Sequence, residues 1–241
     1  MITIRRSGDR GTTRLPWLDS RHSFSFGDYY DPEHMGFGFL RVINEDRVAP
    51  GGGFAPHGHR DMEIISYVVD GALAHKDSLG TGSIIRSGEI QRMSAGTGIR
   101  HSEFNASKTE PVHFLQIWIL PARLGAPPAY EQVPLRHLEP GNGLRRIATP
   151  DGEGGTLLIG APVTIHAARL AGGEATRLAL APGRLAWAQI VRGAVVVNGH
   201  ALSSGDGAAM ASEPVLEVGS EAISEVLLIE MDSIAAGPDR R

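Results

Sequence analysis

Gly51-Gly52-Gly53-Phe54-Ala55-Pro56-His57-Gly58-His59-Arg60-Asp61-Met62-Glu63, answered further along by Gly96-Thr97-Gly98-Ile99-Arg100-His101-Ser102-Glu103-Phe104-Asn105, decides how the rest of the chain is read. Successive side chains of an extended strand point to opposite faces, so His57 and His59 share one face, and His101 shares one with Glu103 and Asn105. Two facing strands can therefore bring three imidazoles and a carboxylate to one point. Neutral imidazole and carboxylate suit a borderline divalent ion such as Fe, Mn, Ni, Cu or Zn. The chain has no cysteine, so disulfides, thiolate ligands and a thiol nucleophile are excluded, and any metal is held by nitrogen and oxygen. The glycines at 51 to 53 and 96 to 98 read as turns, because neither a Walker lysine nor a strand-helix dinucleotide pattern accompanies them.

Outward from these two segments the sequence is a series of short strands. Glu63-Ile64-Ile65-Ser66-Tyr67-Val68-Val69 is rich in β-branched residues and ends on Asp70-Gly71, His75-Lys76-Asp77-Ser78 returns, and Ser87-Gly88-Glu89 turns into Ile90-Gln91-Arg92-Met93. Val112 to Leu120 is a long apolar run suited to a buried strand. With 31 Gly and 15 Pro among 241 residues, many turns between strands are favoured over long helices, and the class is all-β. Beyond a Pro-, Gly- and Ala-rich connector at 126–145 the pattern repeats. Ala186 to Gly199 resembles Ile64 to Ala72, Gly205 to Ala211 echoes Gly88 to Ser94, and Glu225 to Glu230 echoes Val112 to Leu120. Two β-sandwich or jelly-roll barrels in tandem are expected, at 1–125 and 146–241. The second lacks the chemistry: Thr176-Arg177-Leu178-Ala179-Leu180 stands where the His-x-His would fall, and Val218 takes the place of His101.

A net charge of −4 gives no electrostatic support for a nucleic-acid or anionic membrane partner. Met1-Ile2-Thr3-Ile4-Arg5-Arg6 has no apolar run behind it, and no stretch approaches the roughly 20 apolar residues of a membrane span. A cytoplasmic, monomeric chain without direct nucleic-acid or membrane contacts is the expectation.

The pattern Gly51-x5-His57-x-His59-x3-Glu63, then Gly96-x-Gly98-x2-His101-x3-Asn105, resembles the two motifs of the cupin superfamily, with Gly96 where Pro is common and Gly71 one residue later than usual. Trp17-Leu18-Asp19-Ser20, Tyr29-Tyr30-Asp31-Pro32, His57 to Ile64 and Met93 to Glu103 narrow the resemblance to the pirin family, particularly its bacterial quercetin 2,3-dioxygenase members. It spans nearly the whole chain, strongly to about Leu120 and weakly thereafter. The resemblance implies a bicupin with one divalent transition metal in the N-terminal cupin, held by His57, His59, His101 and Glu103. Fe(II) is the first choice, with Mn, Ni, Cu and Zn as the others. It also implies dioxygenation of a flavonol such as quercetin by O2, with Glu103 as catalytic base as well as ligand. Other members are described as nuclear or transcriptional cofactors, so the alternative is a regulatory module that senses redox state and docks a protein partner. A different cupin reaction, such as isomerisation, is a further alternative.

In the general cupin motif Glu63 is the carboxylate ligand, whereas the pirin resemblance gives that role to Glu103, and strand parity does not decide between them. Glu63 is then expected beside the ligands, orienting one of them. Asp61 reads as a solvated turn residue, Asn105 as ligand support or a turn former, and His75 and His113 as satisfied strand histidines. Phe24, Phe26, Phe37, Phe39 and Trp118 divide between core and the wall of an aromatic-binding cavity, and Tyr67 is expected to point inward with Glu63.

Overall fold

Short runs of β-branched residues broken by glycine turns fold as strands throughout the computed structural model, which describes residues 1–135, 138–141 and 143–233. The first half supplies β1 (Ile2–Arg5), β2 (Gly11–Leu15), β3 (Leu18–His22), β4 (Leu40–Val48), β5 (Gly53–His59), β6 (Glu63–Asp70), β7 (Ala72–Asp77), β8 (Gly82–Arg86), β9 (Glu89–Ser94), β10 (Ile99–Asn105), β11 (Val112–Ile119) and β12 (Ala129–Pro134). The second supplies β13 (Arg145–Thr149), β14 (Leu157–Leu158), β15 (Val163–Leu170), β16 (Ala175–Ala179), β17 (Leu185–Arg192), β18 (Ala194–Val197), β19 (His200–Ser203), β20 (Gly207–Ala211), β21 (Val215–Ser220) and β22 (Ser224–Met231). Among the described residues no helix is long and apolar enough to cross a membrane.

Each half is a sandwich, as expected of a bicupin. In the first, the sheet β12-β9-β6-β11-β4-β3-β2 packs on β5-β10-β7-β8, with Leu18, Val68, Leu73, Ile85 and Phe114 between them. In the second, β1-β20-β17-β22-β15-β13-β14 packs on β16-β21-β18-β19 around Ala188, Ile190, Val197, Leu216, Val218 and Leu228. Val218, at the position corresponding to His101, is fully buried in that aliphatic interior. Hydrocarbon thus fills the second sandwich where the first holds polar side chains.

The two large sheets lie back to back. Ile43, Ile65, Tyr67 and Ile117 of the first meet Trp187, Leu227, Ile229 and Met231 of the second in one continuous core. Phe24 lies 5.1 Å from the Trp187 ring and Phe37 6.2 Å from it, so three of the aromatics weighed for a cavity wall, Phe24, Phe37 and Phe39, belong to this core. Because β6 is covered on both faces, seven of its eight residues are buried and it carries no polar alternation. Tyr67 points away from the first sandwich, and its hydroxyl donates to Glu225 Oε1 at 2.5 Å.

Two segments depart from the expected boundaries. β1, at the start of the chain, pairs with β20 of the second sandwich, Ile2 opposite Met210 and Ile4 opposite Ala208. β12, inside the stretch read as a connector, pairs with β9 at the edge of the first large sheet, Tyr130 opposite Met93. Positions 136, 137 and 142 of that stretch, and 234–241 at the end of the second half, lie outside the described residues.

Candidate metal centre

β5 and β10 pair antiparallel with His101 opposite His57 and Ile99 opposite His59, after which the register slips so that Glu103 lies opposite Phe54. The extra residue falls on β5 beside Pro56, which has no N–H to give the ladder. On its other edge β10 pairs with β7, which sets Asp77 opposite His101 and His75 opposite Glu103. Directly opposed residues share a face. Gly96, at the turn into β10, has φ +45° and lies against the Ala126 carbonyl, so it has room for neither a side chain nor the proline of the common motif.

The rings of His57, His59 and His101 lie 4.5 to 4.9 Å apart, and one nitrogen from each falls within 4.8 Å of the other two. His57 Nδ1 donates to the Ala55 carbonyl at 2.8 Å, which leaves Nε2 as a lone pair, 3.1 Å from His101 Nε2. Two ring nitrogens at that distance share at most one proton, so the pair presents at least one lone pair, suited to one hydrogen bond or to a cation between the rings. Burial, then the neighbouring His101 and His57, pulls His59 down to about 4. Burial, then His57 and His75, pulls His101 down to about 3. Both rings are neutral at physiological pH and available as ligands, which fits a borderline divalent ion.

Glu103 is enclosed, 1% exposed, and its two oxygens are held separately: Ser66 Oγ donates to Oε1 at 3.1 Å and Gln116 Nε2 to Oε2 at 2.8 Å. It forms a second trio, again within 4.8 Å, with His101 and His75. His101 is common to both sets. Three of the four residues anticipated as ligands form the first trio, and Glu103 is linked to it through His101.

Glu63 does not take part in either trio. It lies on the β6 face that meets the second half, where Ser94 Oγ donates to Oε2 at 2.6 Å and Arg92 Nη1 sits 3.6 Å away, so the expected role beside the ligands is corrected. Ser66, three residues further along β6 and therefore on its opposite face, does reach the site. Asp61 occupies a left-handed turn at φ +47° and accepts from the Gly125 amide at 2.6 Å, holding down the chain after β11. Asn105 is a turn former: its Nδ2 donates to the Val48 and Glu110 carbonyls and its Oδ1 accepts from Ser107 N. His113 faces away from the site and pairs with Glu45 at 3.0 Å, as a satisfied strand histidine should. His75 is different. It is buried at the site, beneath the Tyr130 ring at 4.8 Å. The sequence signals for the residues not anticipated at the site were faint: a lone serine in the apolar run of β6, and a His-x-Asp on β7.

His57, His59, Glu103 and Gln116 open into a cavity of about 640 Å³, within the roughly 300–1,000 Å³ of small-molecule sites. Its walls include Trp17, Phe26, Phe54 and Trp118, so two of the aromatics weighed earlier are found there, joined by two more. Trp118 also meets His59 edge-on at 4.8 Å. Ser20, His22, Asn44 and Asp46 form a polar side of the cavity, where His22 Nδ1 lies 2.8 Å from Asn44 Oδ1 and its Nε2 lies 2.9 Å from Thr13 Oγ1.

Asp46 is 2% exposed, and its Oδ1 has no hydrogen-bond partner among the described residues. Burial, assisted by the charges of Glu103 and Glu45 and opposed by the Ser20 hydroxyl, pushes its carboxyl up to about 7. In the unfolded chain it titrates near 3.9. Folding therefore favours the protonated form, so this contribution is fully present below pH ~4 and is lost as pH rises through 7. Asp46→Asn is expected to flatten the fall in stability of the metal-free protein between pH 4 and 8 by on the order of 4 kcal/mol at most. Urea unfolding of both proteins across that range checks this, and parallel curves would show that Asp46 is not the titrating group.

A set of imidazoles and a carboxylate on paired strands inside one of two tandem β-sandwiches defines a cupin-type centre. Residues 4–119 match the pirin family and 146–231 match the quercetinase C-terminal cupin domain, and the chain belongs to the pirin family. It is 42% identical to quercetin 2,3-dioxygenase of Escherichia coli (strain K12) over 234 residues, which cover 97% of this chain and 100% of that one. A pirin-like protein of Caulobacter vibrioides is 39% identical over 89% of this chain and 92% of its own. Among solved structures, the bacterial pirin YhhW from Escherichia coli in complex with nickel(II) superposes with a TM-score of 0.92 at 41% identity, covering 97% of this chain and 100% of that one.

Proposed function

We propose that this chain is a metal-dependent dioxygenase that cleaves a flavonol such as quercetin with O2, releasing carbon monoxide. The observation that carries the reading is the placement of His57, His59 and Glu103 on the surface of an aromatic-walled cavity sized for a small molecule. The name of the Escherichia coli relative supports the substrate class. His57, His59, His101 and Glu103 would hold the ion. Fe(II) is the first choice, and Mn, Ni, Cu and Zn accept the same donors. When bound, the ion supplies Lewis acidity and redox chemistry with O2.

The chain's own groups do the rest. Trp17, Phe26, Phe54 and Trp118 offer flat apolar faces to the fused rings and exclude water from them. Glu103, aimed by Ser66 and Gln116, takes the proton from the 3-hydroxyl and leaves the ring electron-rich. Ser20, Asn44 and Asp46 give the outer hydroxyls polar partners.

The test is O2 uptake on quercetin by protein stripped of metal and then reloaded separately with Fe(II), Mn(II), Ni(II), Cu(II) or Zn(II). Metal-dependent uptake with matching loss of flavonol absorbance is expected. No uptake with any fully bound ion would overturn the reading. Glu103→Gln keeps the size of the side chain but removes its basicity, and should lower turnover by roughly 10²- to 10⁴-fold while some metal is retained. Full activity in that variant, measured in the same O2 electrode, would remove the base role.

A further inference from the structure

His75 and Asp77 lie behind the imidazole cluster, on the strand that flanks β10. Both side chains are fully enclosed, at 0% exposure. Asp77 is fixed at both oxygens: the Leu79 and Thr81 amides donate to Oδ1 at 2.9 and 3.0 Å, and Oδ2 lies 3.0 Å from His75 Nε2. A carboxylate accepts only, so Nε2 of His75 carries a proton, and in the neutral imidazole Nδ1 is then the acceptor. That Nδ1 has no hydrogen-bond partner among the described residues, and neither has Nδ1 of His101. The two rings are 5.4 Å apart, and a nitrogen of each lies within 4.8 Å of the other. Both Nδ1 atoms are buried without partners on these neighbouring rings, and a small ring rotation that brings them together makes them complementary, one donating and the other accepting.

Resting on the reading that His101 is a metal ligand through Nε2, we propose that Asp77 and His75 form a positioning chain that ends on Nδ1 of His101. Asp77 fixes the proton on His75 Nε2, His75 Nδ1 accepts from His101 Nδ1, and His101 Nε2 is left unprotonated and turned to the ion. A ligand imidazole whose second nitrogen is held keeps both its tautomer and its ring orientation, and loss of such a partner typically costs 10- to 100-fold in metal affinity. β10 thus receives two kinds of help: β5 brings the other imidazoles, and β7 sets the tautomer of the one they share.

The experiment is the Ni(II) dissociation constant, read by chelator competition on the full chain, with bound nickel counted by elemental analysis and the melting of the metal-free protein recorded beside it. His75→Phe keeps an aromatic ring and loses the acceptor. Asp77→Asn presents an amide to Nε2, so that His75 turns an N–H towards His101 and two donors face each other. Both are expected to weaken nickel binding 10- to 100-fold at a stoichiometry of one. His75→Asn sets a carbonyl oxygen near the place of Nδ1 and should restore most of the affinity, which a purely space-filling role would not allow. Should His75→Phe fail to fold, Asp77→Asn and its metal-free melting still decide the matter. Wild-type affinity in folded His75→Phe or Asp77→Asn would overturn the chain. So would two nickel ions in the wild type and one in His75→Phe, which would make His75 a ligand of a second ion. A wild type that binds no nickel would instead remove the metal-centre reading on which the inference rests.

Discussion

Replacing His101 by alanine is expected to abolish stoichiometric metal binding and, with it, turnover. His101 is the one residue common to both trios, opposed to His57 on one side and Asp77 on the other, so its loss dismantles the centre from both strands. Loss of His57 or His59 removes one donor but keeps His101 and Glu103, and is the milder change. An ion that binds only the folded state adds about 4 kcal/mol of stability at a free concentration 1,000-fold above its dissociation constant. That increment should appear in the wild type on adding metal and be missing in His101→Ala. Comparing each protein with and without metal separates it from the packing cost of the substitution. One equivalent of tightly held metal in His101→Ala would sink the assignment.

The second large effect concerns the join between the halves. Trp187 is 2% exposed, fills the back-to-back core beside Phe24 and Phe37, and donates from Nε1 to Gln189 Oε1 at 3.3 Å. Trp187→Ala is expected to cost about 3–5 kcal/mol, since the void is bounded by two sheets that cannot both collapse into it. The chain has three tryptophans, and the variant keeps Trp17 and Trp118, both in the first half. Their fluorescence then reports the first sandwich alone, while circular dichroism reports both. Because the core is continuous, the two signals should move together in urea at a lowered midpoint. A loss under about 1 kcal/mol, or a first sandwich that outlasts the second, would show that the halves are energetically separate.

The parity of a strand is written into its sequence, and the pairing of His57 with His59, and of His101 with Glu103, was legible for that reason alone. The same rule left Glu63 open. Period two states which residues share a face, and it is silent on what that face meets. On β6 both faces are buried, so no polar alternation marks the side that looks towards the ligands, and Glu63 and Ser66 cannot be told apart in role until the second half is laid against the sheet. His75 looked like an ordinary strand histidine for a similar reason: its neighbours Glu103 and His101 belong to a different strand, and only the register of β7 against β10 brings them together.

By itself the sequence determined the all-β class and singled out the internal repeat and the four ligand candidates, because each of these follows from local spacing and side-chain type. Only the tertiary structure decided that β1 completes the second sandwich, that β12 edges the first, that Phe24, Phe37 and Phe39 bind the halves together while Phe26 and Trp118 line the cavity, and that Asp77 stands behind His101. Those outcomes depend on pairings between residues distant in sequence. The free energy that selects them is the burial of one sheet against another, which no local window of the chain contains.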